Sequence, residues 1–140
     1  MKVEKLGELF YDLKITDQKI TKIFEEKMGF SLTRYQILNY LNSNGKMIQK
    51  TLQEKLKIDQ AAITRHLKIL ENNNLIVKQR NEKNNREIFV SITEKGLERI
   101  TNCKEGQQFR NEVFENGFTD KDFDQLANLL KKFNNSIKGE

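Results

Sequence analysis

The 140-residue sequence contains no proline, only seven glycines, one cysteine and one histidine. The single cysteine, Cys103, excludes an intramolecular disulfide and every cysteine-rich metal site. No apolar run approaches the roughly 20 residues that a membrane span needs, and the N-terminus lacks the apolar core of a signal peptide. We therefore expect a cytoplasmic protein with no membrane contact. The scarcity of glycine and proline favours a mainly helical chain with few tight loops.

Groups that could carry catalysis are equally scarce. The chain has no glycine-rich phosphate loop and no HExxH sequence, and His66 lies far from Cys103 along the chain. Because no nucleophile can be matched with a base, we expect no enzyme activity, no metal and no cofactor. We interpret His66 as a phosphate contact or an ordinary surface residue rather than a metal ligand. Cys103 has no neighbouring histidine or second cysteine, so we interpret it as a structural or incidental thiol.

The net charge of +5 is concentrated in the middle of the chain. Between Lys46 and Val90 there are ten lysines and arginines but only five acidic residues, whereas the flanking segments hold equal numbers of each sign. A charge asymmetry confined to one segment is expected of a surface that binds a polyanion. A solvated face of chance composition is the alternative, and charge alone does not decide between them.

Apolar residues at helical spacing predict amphipathic helices near both ends of the chain. The first helix is expected from about Val3 to Met28. Thr93 can cap a helix that begins "EKGLERI" and continues to about residue 114, and Thr119 can cap the last helix in a capping box with Asp122. The last helix has an apolar stripe made of Phe123, Leu126, Leu130, Phe133 and Ile137.

The middle of the chain predicts two short helices followed by a hairpin. "QKTLQEKLKI" forms the first helix, and Asp59 is a good N-cap for the second, which reads "QAAITRHLKILEN". The core face of this second helix holds Ile63, Leu67 and Leu70. Asn74 can end it in the left-handed conformation. The β-branched runs "LIVKQR" and "REIFVSIT", separated by a loop rich in asparagine, predict a β-hairpin with a polar tip, and the whole unit is a winged helix-turn-helix.

The sequence resembles the MarR family of bacterial transcription regulators over essentially its whole length. The most specific features are "AAITRHLKILE", "LIVKQR" and the ending "NNREIFVSITEKG", which is similar to the family pattern D-x-R, three residues, V-x-L-T. Arg86 matches the wing arginine of that pattern. Val90 and Thr93 match its later positions, and Ile92 conservatively replaces its leucine. Two departures from the family matter more: Asn84 stands where the family usually has an aspartate that orients the arginine, and Asn74 replaces the glycine that precedes "LI".

The resemblance implies a mainly α fold with a small β-hairpin wing. A single MarR-like domain would cover residues 1–140, with the winged helix-turn-helix at about 31–93 and helical dimerisation regions at about 1–30 and 94–140. The partners implied are double-stranded DNA and a second copy of the chain in a homodimer. The apolar stripes of the terminal helices favour the dimer, although these helices could instead fold back on their own monomer.

The family also implies a repressor more often than an activator. Its branches respond to phenolic or lipophilic acids, to peroxides through a cysteine near the N-terminus, or to zinc through clustered histidines and acids. The first helix here has no cysteine, which argues against a peroxide sensor, and the single histidine argues against a zinc sensor. Two alternatives stay open: a small organic effector in the cleft between the dimerisation helices and the DNA-binding unit, or no effector at all.

The candidate DNA-binding residues follow from side-chain chemistry and position. Thr64 and Arg65 suit base edges, because a threonine methyl can contact thymine and arginine can pair with guanine, although Arg65 could equally bind a phosphate. Gln60 and Ala61 lie in the first turn of the second helix, where such helices usually contact bases. Gln60 could instead be a solvated polar residue. The expected phosphate contacts are Lys50 and Lys68. In the wing, Arg86 is expected to enter the minor groove. Arg80 and Lys83 are expected to lie near phosphates.

A winged helix can also serve as a protein-interaction module that lacks operator-specific DNA binding. The location of the charge excess argues against that alternative, because protein-binding surfaces are depleted in charge at their centre.

Overall fold

A computed structural model describes residues 1–102 and 105–139. The chain divides into two compact units, Met1–Cys103 and Lys104–Glu140. Cys103, interpreted above as a structural or incidental thiol, lies outside the described residues.

The first unit contains five helices and a small sheet. Its elements in chain order are α1 (Val3–Met28), α2 (Leu32–Asn44), β1 (Met47–Ile48), α3 (Gln49–Leu56), α4 (Gln60–Asn72), β2 (Ile76–Asn81), β3 (Asn84–Ile92) and α5 (Glu94–Thr101). The sheet is antiparallel with the order β1-β3-β2. This architecture confirms the mainly helical fold with a hairpin wing.

The core lies where α2, α3 and α4 pack on the sheet. Its fully buried side chains are aliphatic: Ile37, Leu38, Leu41, Leu52, Ile63, Leu67, Leu70, Ile76 and Val90. Leu75 and Ile100 complete it with small residual exposure. Ile63, Leu67 and Leu70 therefore occupy the core face predicted for α4, and the opposite face of α4 is free for other contacts.

The ends of α4 match the sequence prediction. The Asp59 carboxylate accepts a hydrogen bond from the Ala62 N–H at 2.8 Å. At the other end Asn74 has a φ of 62°, and the amides of Asn74 and Leu75 donate to the carbonyls of Glu71 and Leu70. This pair of bonds satisfies the last carbonyls of the helix and turns the chain into β2.

The chain makes a close approach where the wing meets α5. The Thr93 amide donates to the Leu75 carbonyl at 3.0 Å, and the Thr93 hydroxyl donates to the Asn74 carbonyl at 2.7 Å and accepts from Gly96 at 3.0 Å. The backbones here leave room only for a hydrogen atom at Gly96, which is buried. Thr93 caps α5 as predicted.

Arg99 connects α5 to the end of α1. Its Nη2 atom donates to the Gly29 carbonyl at 2.9 Å, and its guanidinium lies 4.6 Å from the centre of the Phe30 ring. A cation at a helix C-terminus is favourable because the carbonyl ends of the peptide dipoles converge there.

The second unit contains α6 (Gly106–Val113) and α7 (Asp120–Ser136). Phe114 and Phe118, which lie between these helices, form an aromatic cluster with Phe123 of α7, and the Phe118 and Phe123 rings pack edge to face at 4.7 Å. Arg110 covers Phe123 and forms an ion pair with Asp120. The predicted capping box is present, because the Asp122 carboxylate accepts from the Thr119 amide at 2.8 Å.

Two sequence predictions need correction, and one strand was not predicted. The single helix expected from residue 94 to about 114 is two helices, since α5 ends at Thr101 and α6 begins at Gly106. The sequence between Ile100 and Phe109 has no apolar side chain apart from that of Cys103. It therefore lacks the apolar face that a continuous helix would need to pack against a core. The strand β1 was not predicted. Ile137, placed on the stripe of the last helix, lies just beyond the end of α7.

Along the described residues, no helix has both the length and the apolar character that crossing a bilayer requires.

Candidate nucleic-acid interface

The exposed face of α4 carries five of the residues expected to contact DNA bases or phosphates. Gln60, Ala61, Thr64, Arg65 and Lys68 are all exposed, while the apolar side of the helix is anchored in the core. An α-helix fixed on one face and polar on the other can enter the major groove of DNA without exposing apolar surface. The structure thus brings these five predicted residues onto one surface.

The Thr64 hydroxyl is already engaged within α4. It donates to the Gln60 carbonyl at 2.8 Å. With the hydroxyl held against the helix backbone, the methyl group is the part of the side chain left to contact a ligand. A methyl group suits the C5-methyl of thymine.

The wing is a tight hairpin whose tip is ordered by side chains. Its turn residues are Glu82 and Lys83, and the Lys83 amide donates to the Asn81 side-chain oxygen at 3.0 Å. The Arg80 guanidinium donates to the Asn85 carbonyl at 2.6 Å, across the hairpin. Part of the hydrogen-bonding capacity of Arg80 is therefore used inside the wing.

Asn84 supports Arg86 through the backbone. The Asn84 side-chain oxygen accepts from the Arg86 amide at 3.1 Å. Within residues 1–102 and 105–139, the Arg86 guanidinium has no hydrogen-bond or ion-pair partner. Asn84 therefore holds the backbone at Arg86 and leaves the Arg86 guanidinium available for a ligand.

A cleft of about 640 Å³ separates the wing from α3 and the start of α4. Lys50 of α3, Gln60 of α4 and Arg86 of β3 all line it. The cleft also contains two carboxylates, Glu54 and Glu87. The cleft thus brings together three predicted residues from three elements. The other predicted residues do not line it: two lie toward the wing tip (Arg80 and Lys83), and three lie along α4 (Thr64, Arg65 and Lys68).

Arg34, for which the sequence predicted no role, lies in the first turn of α2 beside His66. The Arg34 Nη1 atom is 3.3 Å from the His66 Nδ1 atom. Because a guanidinium can only donate, Nδ1 is the acceptor and the neutral imidazole carries its proton on Nε2. Partial burial, and then the charges of Arg34 and Arg65, hold the pKa of His66 below its ordinary value. No local signal could have found this pair, whose members are 32 residues apart.

Among the described residues, no cluster of three or more histidine, cysteine, aspartate or glutamate side chains could hold a metal ion.

Comparison with known proteins gives the family. The family model described as MarR family matches residues 30–88. The chain is 34% identical over 133 residues to the uncharacterized HTH-type transcriptional regulator YdgJ of Bacillus subtilis (strain 168), covering 92% of this chain and 81% of that protein.

Two solved structures share the fold. A mutant of MarR from E. coli complexed with operator DNA has a TM-score of 0.78 at 22% identity, with 94% of each chain covered. The PcaV transcriptional regulator from Streptomyces coelicolor in complex with its natural ligand has a TM-score of 0.78 at 19% identity, with 94% of this chain and 93% of that one covered. Since the family and the relatives are regulators, the prediction that the chain is not an enzyme is confirmed. The chain belongs to the MarR family of transcriptional regulators.

Proposed function

We propose that this regulator binds a palindromic operator in double-stranded DNA as a homodimer and represses transcription there. The observation that carries the proposal is the exposed polar face of α4 beside a wing whose Arg86 guanidinium is available. A recognition helix and an adjacent cationic hairpin suit the major groove and the neighbouring minor groove of one duplex.

The residues divide into those that specify sequence and those that orient the complex. Thr64 and Arg65 contact base edges in the major groove, with Gln60 and Ala61 at the helix start. Arg86 enters the minor groove. The phosphate contacts, which carry no sequence information, are made by Lys50, Lys68, Arg80 and Lys83.

Lys83→Ala and Arg65→Ala should weaken binding in different ways. Removing Lys83 takes away one phosphate contact, so affinity should fall similarly for all sequences and the salt dependence should flatten by about one unit per half-site. Removing Arg65 should cost about 1 to 3 kcal/mol and relax discrimination at one base position. Fluorescence anisotropy on matched duplexes at several salt concentrations measures both effects.

Lys22→Ala is the matched control for these variants, because Lys22 is an exposed lysine of α1 outside the proposed interface. It should leave the salt dependence unchanged. If Lys83→Ala behaves like Lys22→Ala, the wing tip does not contact DNA. If no variant or wild-type protein binds DNA, the protein-interaction alternative is favoured.

Exposed apolar side chains on the terminal helices support the homodimer. In α1, Leu9 and Ile15 are 45% and 42% exposed, and in α7, Leu129 and Leu130 are 64% and 45% exposed. Apolar faces of this kind are expected to be covered in a stable assembly. A closed two-fold dimer covers the same face of both copies at once.

Sedimentation at micromolar concentration should give twice the 16.5 kDa chain mass. Leu130→Glu should shift the protein toward monomer, because a buried carboxylate without a partner is unfavourable. Asn128→Glu, on the opposite side of α7, adds the same charge and should leave the dimer intact. A wild-type monomer that still binds a palindrome tightly would contradict the dimer.

We extend the proposal to a small organic effector that releases the operator. The support is the ligand-bound PcaV structure, which has the same fold. Repeating the anisotropy measurement with small aromatic carboxylates tests this part, and operator binding that no such acid weakens would contradict it.

A further inference from the structure

Arg34 contacts the single histidine of the chain beside the recognition helix, and the charge of Arg65 acts on the same imidazole. Arg34 projects from the first turn of α2 and contacts His66 of α4 at 3.3 Å. Arg65, next to His66 on α4, is exposed, and its charge also acts on the imidazole. The contact therefore joins the predicted DNA-facing surface of α4 to α2, a helix for which the sequence predicted no DNA contact.

This cluster has no acidic partner in the described part of the chain. Arg34 and Arg65 form no ion pair there, and the two guanidinium charges both lower the pKa of His66. The first turn of α2 also holds no acidic residue, and the peptide dipoles add positive potential at that end. Like charges held together without a counterion are unfavourable until an external anion neutralises them.

The imidazole is neutral in the free protein near pH 7, because burial and the two arginines lower the pKa of His66. Its Nδ1 atom accepts from Arg34, and its Nε2–H remains a hydrogen-bond donor. A phosphate could accept from both Arg34 and Nε2–H. Once the phosphate offsets the two guanidinium charges, a proton from solvent can add to Nδ1, and the Arg34 donor moves to the phosphate.

We propose that Arg34 and His66 form a phosphate-binding pair at the edge of the recognition helix, and that His66 takes up a proton when DNA binds. This proposal rests on the proposed function, because the phosphate belongs to the DNA backbone beside the major groove occupied by α4. A DNA phosphate is chosen over a protein carboxylate because the cluster continues directly into the predicted base-contacting residue Arg65. The complex holds more protons than the separate partners, so affinity rises as pH falls.

The pH dependence can be assigned to one side chain. Histidine is the one side-chain type that ordinarily titrates between pH 5 and 8, and this chain has only His66. Proton NMR of its imidazole, recorded through pH 5.5 to 7.5 with and without a random-sequence duplex at low salt, should give a titration midpoint that moves to higher pH in the complex. As the pH falls from 7.5 to 5.5, affinity for the same duplex should rise several-fold, and by at most about tenfold per pH unit for each half-site.

Two variants separate the roles of the pair. His66→Gln cannot titrate and should bind with affinity independent of pH. Arg34→Gln should flatten the salt dependence by about one unit per half-site and reduce the DNA-induced shift of the imidazole midpoint. Lys22→Gln, which removes a distant exposed lysine, should change neither property.

The outcomes distinguish this inference from the proposed function. If wild-type protein binds DNA but the His66 midpoint does not move and affinity is independent of pH, the phosphate-binding pair is wrong while DNA binding stands. If polyglutamate moves the midpoint and the duplex does not, the cluster binds carboxylates instead and the proposal is overturned. If the duplex does not bind at any pH, both the proposed function and this inference fail.

Discussion

Replacing Gly96 with alanine should destabilise the fold by about 3 kcal/mol, near the upper end for an overpacked site. A β-carbon at this position would overlap the Leu75 carbonyl oxygen and lie 2.7 Å from the Ile92 Cγ1 atom. That carbonyl cannot move freely, because it accepts a hydrogen bond from the Thr93 amide at 3.0 Å. Relieving the overlap would separate α5 from the turn that follows α4.

Gly7→Ala is the matched control for this substitution. Gly7 lies inside α1, where an added β-carbon meets nothing within 4 Å. Alanine should stabilise that helix by roughly 0.5 to 1 kcal/mol. Urea unfolding of the three proteins at equal concentration measures the difference. Equal stability of Gly96→Ala and wild type would mean that the close approach of Gly96 to Leu75 does not exist in solution.

Arg86→Ala should cause a large loss of DNA affinity, about tenfold or more, and the loss should be greater on A·T-rich flanks. Narrow minor grooves concentrate negative potential and attract an inserted arginine. The Arg86 backbone is held by the Asn84 side chain at 3.1 Å, so the guanidinium starts from a fixed point on the wing.

Anisotropy on duplexes that differ only in their flanks tests this prediction, with the G·C-rich duplex as the internal control. A small and equal loss on both duplexes would mean that the wing is a solvated loop, and that backbone support by Asn84 does not replace the aspartate usual in the family.

Local signals were sufficient to predict much of this structure. Asp59, Thr93 and Thr119 were identified as helix caps because a cap depends on a side chain and amides two or three residues away. The core face of α4 and the left-handed Asn74 were predictable for the same reason. The hairpin was predictable because its two strands are adjacent in sequence and rich in β-branched residues.

Features that depend on distant contacts could not be predicted. The strand β1 has only two residues, Met47 and Ile48, and exists because they pair with Val90 and Phe89 of β3. Two residues are too few for any periodic pattern. The contact of Arg34 with His66 likewise depends on the packing of α2 against α4. At the candidate site, sequence identified which side chains are exposed, whereas the cleft that brings Lys50, Gln60 and Arg86 together required the three-dimensional fold.

Selection of bound sequences from a pool of random duplex DNA measures operator recognition by α4. We expect enrichment of an inverted repeat whose half-sites are centred about one helical turn, ~10 base pairs, apart. Arg65→Ala should enrich a repeat with one position in each half-site relaxed. Recovery of no shared sequence by wild-type protein that is folded and retained on DNA at low salt would contradict operator-specific recognition by α4.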